Sequence, residues 1–103
     1  MLWVFLINEL FTIKFLTMPI SCMIFDDQHA AISELSFLIG KHVPDWKILG
    51  IAASLKNCRS LLISQKVDII FTEIHFGNQT IFDALPELNS FKGDIVFITT
   101  DNS

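Results

Sequence analysis

Three short apolar runs, each followed directly by acids or hydroxyls, constrain the fold of this chain more than any other feature. They are residues 20–25, followed by Asp26 and Asp27; residues 67–72, followed by Glu73; and residues 95–98, followed by Thr99 and Thr100. Short, nearly continuous apolar runs are typical of buried parallel strands. In an open α/β sheet, the ligand site lies just beyond the carboxyl ends of the strands. The sequence therefore predicts that three acids and a hydroxyl meet at one edge of a parallel sheet, a setting suited to a hard cation and a phosphoryl group.

The segments between these runs predict helices and one further strand. Apolar residues at helical spacing follow the first run and stop at Gly40 and Pro44, and residues 46–52 alternate as a strand would. Ser54 is placed to cap a second helix, and Pro86 interrupts a third. The order β-α-β-α-β-α-β with short connections predicts a parallel sheet with right-handed crossovers.

Composition excludes several classes of protein. The chain has 103 residues, enough for one small domain, and 51% of them are hydrophobic, so it is not a disordered segment. Its net charge of −4 argues against a nucleic-acid-binding surface of its own. Cys22 and Cys58 lack metal-ligand spacing, and we interpret them as reduced thiols of a cytoplasmic protein.

The first seventeen residues differ from the rest in their pattern of apolar and charged residues. Residues 1–17 are apolar but lack the basic start and cleavage site of a secretory signal, and they are too short and too charged for a membrane span. We interpret them as an extension upstream of a natural start at Met18, so that residues 18–103 form the domain. An interfacial membrane anchor is the alternative for this segment, although we expect no membrane contact.

The ordered set of motifs resembles a known family. Residues 22–27 (CMIFDD) and, after a helix, residues 44–50 (PDWKILG) resemble the opening of a response-regulator receiver domain. Residues 67–74 are similar to the strand that carries the phosphoacceptor, and residues 95–100 to the strand that carries the switch hydroxyl. The texture is most like receivers that precede a LytTR-type DNA-binding domain. The resemblance covers residues 18–103 and implies a flavodoxin-like, three-layer α/β/α parallel sheet of order 2-1-3-4, ending after the fourth strand.

The resemblance also implies roles for individual residues. Receivers accept a phosphoryl group from a sensor histidine kinase onto an aspartate, with Mg²⁺ bound. By position, Asp27 would bind the metal directly and Asp26 through water, and Glu73 stands where the phosphoacceptor should be. The backbone carbonyl of His75 would be a further metal ligand, and the hydroxyl of Thr99 would bind a phosphoryl oxygen.

Departures from the family pattern favour a degenerate receiver. Glu73 is one methylene longer than aspartate, which displaces its carboxylate by about 1.5 Å, and in-line phosphoryl transfer is sensitive to such misplacement. The family's fifth strand, with its lysine, and its last two helices have no counterpart after residue 99, so the fourth strand is expected to be an open edge. Whether Glu73 mimics a phosphorylated aspartate or is vestigial stays open.

Three functions follow as alternatives. The leading one is a receiver module in phosphorelay signalling, impaired in phosphotransfer and weakened in Mg²⁺ binding, and originally part of a transcriptional regulator. We expect it not to be an enzyme, to form a homodimer, and to reach DNA only through an output domain that is not in this chain. The second is a phosphorylation-independent docking or dimerisation module. The third is a small Mg²⁺-dependent phosphoryl-transfer enzyme.

Overall fold

The computed structural model describes residues 2–6 and 20–99, and for residues 2–6 and Thr99 it describes the backbone only. The strands are β1 Leu2–Leu6, β2 Ser21–Phe25, β3 Lys47–Ala52, β4 Ile69–Thr72, β5 His75–Phe76, β6 Gln79–Thr80 and β7 Asp94–Thr99. The helices are α1 His29–His42, α2 Leu55–Ser64 and α3 Ile81–Ala84, with a 3-10 helix at Pro86–Ser90. None of these helices is long and apolar enough to cross a membrane.

Five parallel strands form the main sheet in the order β3-β2-β4-β7-β1. The first four reproduce the predicted order 2-1-3-4, so the flavodoxin-like arrangement is confirmed. The expectation that the fourth strand would be an open edge is wrong. β1 pairs in parallel with β7, from Leu2 beside Ile95 to Leu6 beside Thr99, and satisfies the backbone groups that would otherwise be unpaired there.

The assignment of residues 1–17 as an extension upstream of Met18 stays a prediction. Its first part supplies β1, and residues 7–19 lie outside the described residues.

Helices cover both faces of the sheet. On one face α1 contributes Ile32, Leu35 and Ile39 to a core that includes Trp46, which stacks on Phe71 at a ring-centroid distance of 6.3 Å. The other face is covered by α2, α3 and the 3-10 helix, whose buried residues are Cys58, Ile81 and Leu88. Since β2 and β4 are buried on both faces, their sequences are continuous apolar runs rather than alternating ones.

Buried thiols agree with the interpretation of the cysteines. Cys22 and Cys58 are both free and buried, in opposite core layers. Burial raises the pKa of each thiol to about 12, which keeps both protonated and unreactive.

A reciprocal hydrogen-bonded clamp fixes the amino ends of β2 and β4. The backbone N–H and the hydroxyl of Ser21 donate to Oδ2 of Asp68 at 2.9 and 3.1 Å. The N–H of Asp68 in turn donates to the Ser21 carbonyl at 3.0 Å. Because Asp68 takes part in this clamp, β4 begins at Ile69 rather than at the predicted residue 67.

Local boundary signals behave as their chemistry predicts. The hydroxyl of Ser54 accepts from the Asn57 N–H at 3.2 Å and caps α2. Gly77 adopts a φ of 62° in the turn between β5 and β6, a conformation that favours glycine. Pro86 begins the 3-10 helix, where its missing N–H is not needed.

Candidate functional site

The acidic positions are set by the register of β2 and β4. Phe25 and Thr72 are paired, so Asp26 and Glu73 come next on neighbouring strands. The ladder continues through these two residues, because the Asp26 N–H donates to the Ala52 carbonyl at 3.1 Å and the Glu73 N–H to the Phe25 carbonyl at 3.0 Å. The backbone therefore holds both acids side by side at the carboxyl edge of the sheet.

Gln28 orients the two aspartates. Its backbone N–H donates to Oδ1 of Asp26 at 2.9 Å, and its side-chain Nε2 donates to Oδ1 of Asp27 at 3.3 Å. The first bond closes an Asx turn immediately before α1. Sequence reasoning missed Gln28, although an aspartate commonly accepts from the N–H two residues further along the chain.

The carboxyl groups of Asp26 and Glu73 lie within reach of each other, so a protonated Glu73 can donate to Asp26. Asp26 is only 4% exposed and Glu73 is partly buried. Burial, and then the charges of Asp26 and Asp27, raise the pKa of Glu73 to about 7. Burial also raises the pKa of Asp26. Near neutral pH, Glu73 is therefore present in both its protonated and its ionised form.

The other predicted site residues lie around this pair. Asp27 is exposed, one residue beyond Asp26. His75 begins β5, with its side chain exposed, two residues after Glu73. Thr99 is the last residue of β7 and lies beside Leu6; its hydroxyl is outside the described residues. The structure therefore places Asp26 and Glu73 side by side, and the roles of all five residues stay predictions.

The carboxylates at this edge of the sheet are the kind of ligand that binds a hard cation. Carboxylate oxygens are the ligands that Mg²⁺ prefers. Within residues 20–99, however, no three His, Cys, Asp or Glu side chains are gathered in a metal-holding cluster. Near neutral pH, the Glu73 carboxyl also holds a proton in about half of the molecules, because its pKa is raised to about 7. A cation would have to replace that proton.

A groove of about 340 Å³ lies at the opposite edge of the sheet, beside the amino ends of β4 and β7. It contains none of the predicted site residues; its lining includes Leu62, Val67, Phe91 and the two lysines Lys66 and Lys92. This groove is therefore separate from the acidic site.

Comparison with known proteins gives a relative in sequence and several solved structures with a similar fold. No family model matches the chain. It is 31% identical over 70 residues to the sensory transduction protein LytT of Enterococcus faecalis, a match that spans 68% of this chain but only 28% of LytT.

Solved structures with this fold include a mutant of the anti-anti-sigma factor PhyR of Bartonella quintana, at a TM-score of 0.69 and 20% identity, with 80% of this chain and 34% of PhyR covered. The response regulator domain of Thermotoga maritima CheB matches at a TM-score of 0.59 and 21% identity, with 81% of this chain and 61% of that chain covered. The structural likenesses concern the fold, and the LytT match adds similarity in sequence.

Proposed function

We propose that this chain, a response-regulator receiver domain by fold and by its sequence similarity to LytT, is a signalling module that is impaired in phosphotransfer. The observation that carries the proposal is the adjacent pair of Asp26 and Glu73 at the carboxyl edge of β2 and β4. In this pair, the residue at the phosphoacceptor position is engaged by a neighbouring acid.

Two properties of Glu73 support the impairment. Its extra methylene moves the carboxylate by about 1.5 Å from where an aspartate would hold it, and attack on a phosphoryl donor depends on such placement. Its pKa of about 7 also leaves roughly half of the population protonated at neutral pH. A protonated carboxyl is a poor nucleophile, so both effects act in the same direction.

Mg²⁺ is part of the proposal as a weakened ligand. Asp26, Asp27 and Glu73 would hold it, with the backbone carbonyl of His75 as a further donor. When bound, the ion would neutralise charge on a phosphoryl group and on the carboxylates. Glu73 would have to lose its proton to bind the ion, so Mg²⁺ binding should weaken as the pH falls.

The proposed partners are those of a longer protein that contains this domain. Because the match covers 28% of LytT, we propose that this domain works within a larger cytoplasmic regulator. A sensor histidine kinase would dock on it, and contact with DNA would come from a separate output domain. This assigns the chain to the input side of a transcriptional regulator.

The test is phosphorylation by acetyl phosphate with Mg²⁺, read by intact mass and by a phosphate-affinity gel. We expect the wild-type chain to stay unmodified and Glu73→Asp to gain one hydroxylamine-labile phosphoryl group, because the shorter side chain restores the attack position. Glu73→Gln is the matched control that cannot be phosphorylated at this position. Modification of the wild-type chain at Glu73 would contradict the proposed impairment.

The same assay together with a Mg²⁺ titration distinguishes a phosphorelay module from a phosphorylation-independent docking module. If Glu73→Asp is also unmodified, and calorimetry at pH 8 shows no Mg²⁺ binding to either protein, the phosphorylation-independent interaction module becomes the better description.

A further inference from the structure

The two edges of the main sheet differ in their protection against further pairing. The edge strand β3 carries the exposed Lys47, and its pairing with β2 is interrupted by a register shift between Cys22 and Met23. Charged side chains and bulges of this kind discourage edge-to-edge association. The other edge strand, β1, has the sequence LWVFL with no charge, proline or glycine. Among the described residues, no strand pairs with its outer side.

The sequence of β1 is nearly palindromic about Val4. Leu2 and Leu6 stand at equal distances from this centre, as do Trp3 and Phe5. In an antiparallel pairing of β1 with itself, Leu2 would oppose Leu6, Trp3 would oppose Phe5, and Val4 would oppose Val4. Aromatic pairs such as Trp3 with Phe5 are among the most favourable directly opposed residues. The strand is therefore complementary to a second copy of itself.

We propose that two copies of this chain associate through β1, antiparallel about a two-fold axis at Val4, so that their five-stranded sheets become one continuous sheet. A two-fold contact uses the same surface on both subunits and so requires a self-complementary strand. Alternate backbone groups of β1 bond to β7, which leaves the intervening N–H and C=O groups facing the second copy. The inference goes beyond the proposed signalling function and does not depend on the acidic site.

The test is sedimentation equilibrium of the full 103-residue chain over a concentration series. The wild-type chain should dimerise. Val4→Lys and Val4→Glu each place like charges directly opposite each other at the axis, so each should raise the dissociation constant at least about tenfold. An equimolar mixture of the two variants should dimerise again, because Lys then opposes Glu. Ile51→Lys, at an exposed position of the other edge strand, is the matched control and should dimerise like the wild type.

The mixture makes the test independent of folding defects, since a variant that failed to fold could not regain dimerisation from its partner. A wild-type chain that stays monomeric over the series would overturn the proposal. So would a dimer that Val4→Lys leaves intact or Ile51→Lys dissociates, or a mixture of Val4→Lys and Val4→Glu that stays monomeric while the wild type dimerises.

Discussion

Glu73→Gln should stabilise the fold, and increasingly so as the pH rises. Glu73 has a pKa of about 7 in the folded chain, against an ordinary value of 4.5. A raised carboxyl pKa means that the folded state prefers the protonated form, so the group's favourable contribution is complete below pH 4.5 and is lost as the pH rises through 7. Glutamine resembles the protonated acid in shape and can donate to the Asp26 carboxylate, but it carries no charge at any pH.

The size of the effect follows from the two pKa values. Relative to the always-neutral glutamine, the wild-type side chain costs about 1 kcal/mol of unfolding free energy at pH 5 and about 3 kcal/mol at pH 8. The raised pKa of Asp26 adds its own pH dependence, because its ionised form is also disfavoured by burial. The difference between wild type and variant isolates most of the Glu73 contribution, because Asp26 is present in both.

Urea unfolding followed by circular dichroism at pH 5 and pH 8 measures this difference. Glu34→Gln is the matched control, because it makes the same chemical change on the exposed surface of α1. Its effect should be small and nearly equal at both pH values. Two results would refute the reasoning about the proton on Glu73. One is a Glu73→Gln variant that is less stable than the wild type at pH 8. The other is a gain in its free energy of unfolding that does not grow between pH 5 and pH 8.

Three further predictions concern the scaffold, each measured by urea unfolding. Gly93→Ala should lose about 1–3 kcal/mol, because an added Cβ would lie 2.4 Å from the backbone carbonyl oxygen of Asp68. Gly40→Ala should instead gain about 0.5–1 kcal/mol, since this helical glycine has no atom within 4 Å of an added Cβ. Ser54→Ala should lose about 1 kcal/mol, because it removes the 3.2 Å bond that caps α2 at the Asn57 N–H; an unchanged midpoint would show that the cap contributes nothing.

The sequence predicts the centre of the sheet well because the physics there is local. β2 and β4 are buried on both faces, so their apolar runs identify them without knowledge of their partners. β1 was missed for the opposite reason. Its five apolar residues have no periodicity that separates a strand from an anchor, and its partner β7 lies some ninety residues away in the sequence. The sequence predicts an open edge at β7, but only the completed sheet shows that residues 2–6 fill it.

The candidate site also combines features that the local sequence predicts with features that depend on the folded structure. Register alone predicts that Asp26 and Glu73 meet, because parallel strands end at a common edge. The proton on Glu73 could not be predicted, since it depends on how deeply the two carboxyls are buried and on their orientation. The contacts of Gln28 depend on the geometry of one turn and were missed for the same reason.

The proton on Glu73 also bears on the two interpretations of this residue that the sequence leaves open. A phosphorylated side chain carries about −1.5 to −2 charges at neutral pH. With a pKa of about 7, Glu73 carries about half of one negative charge there. It resembles a phosphoryl group only when the proton is displaced, by higher pH or by a cation. A constitutive phosphomimic therefore does not follow from this geometry, whereas a vestigial acid kept partly protonated by burial and by the charges of Asp26 and Asp27 does. Mg²⁺ binding that releases about half a proton per chain at pH 7 would mark Glu73 as a working ligand instead, and calorimetry in buffers of different ionisation enthalpy measures that number.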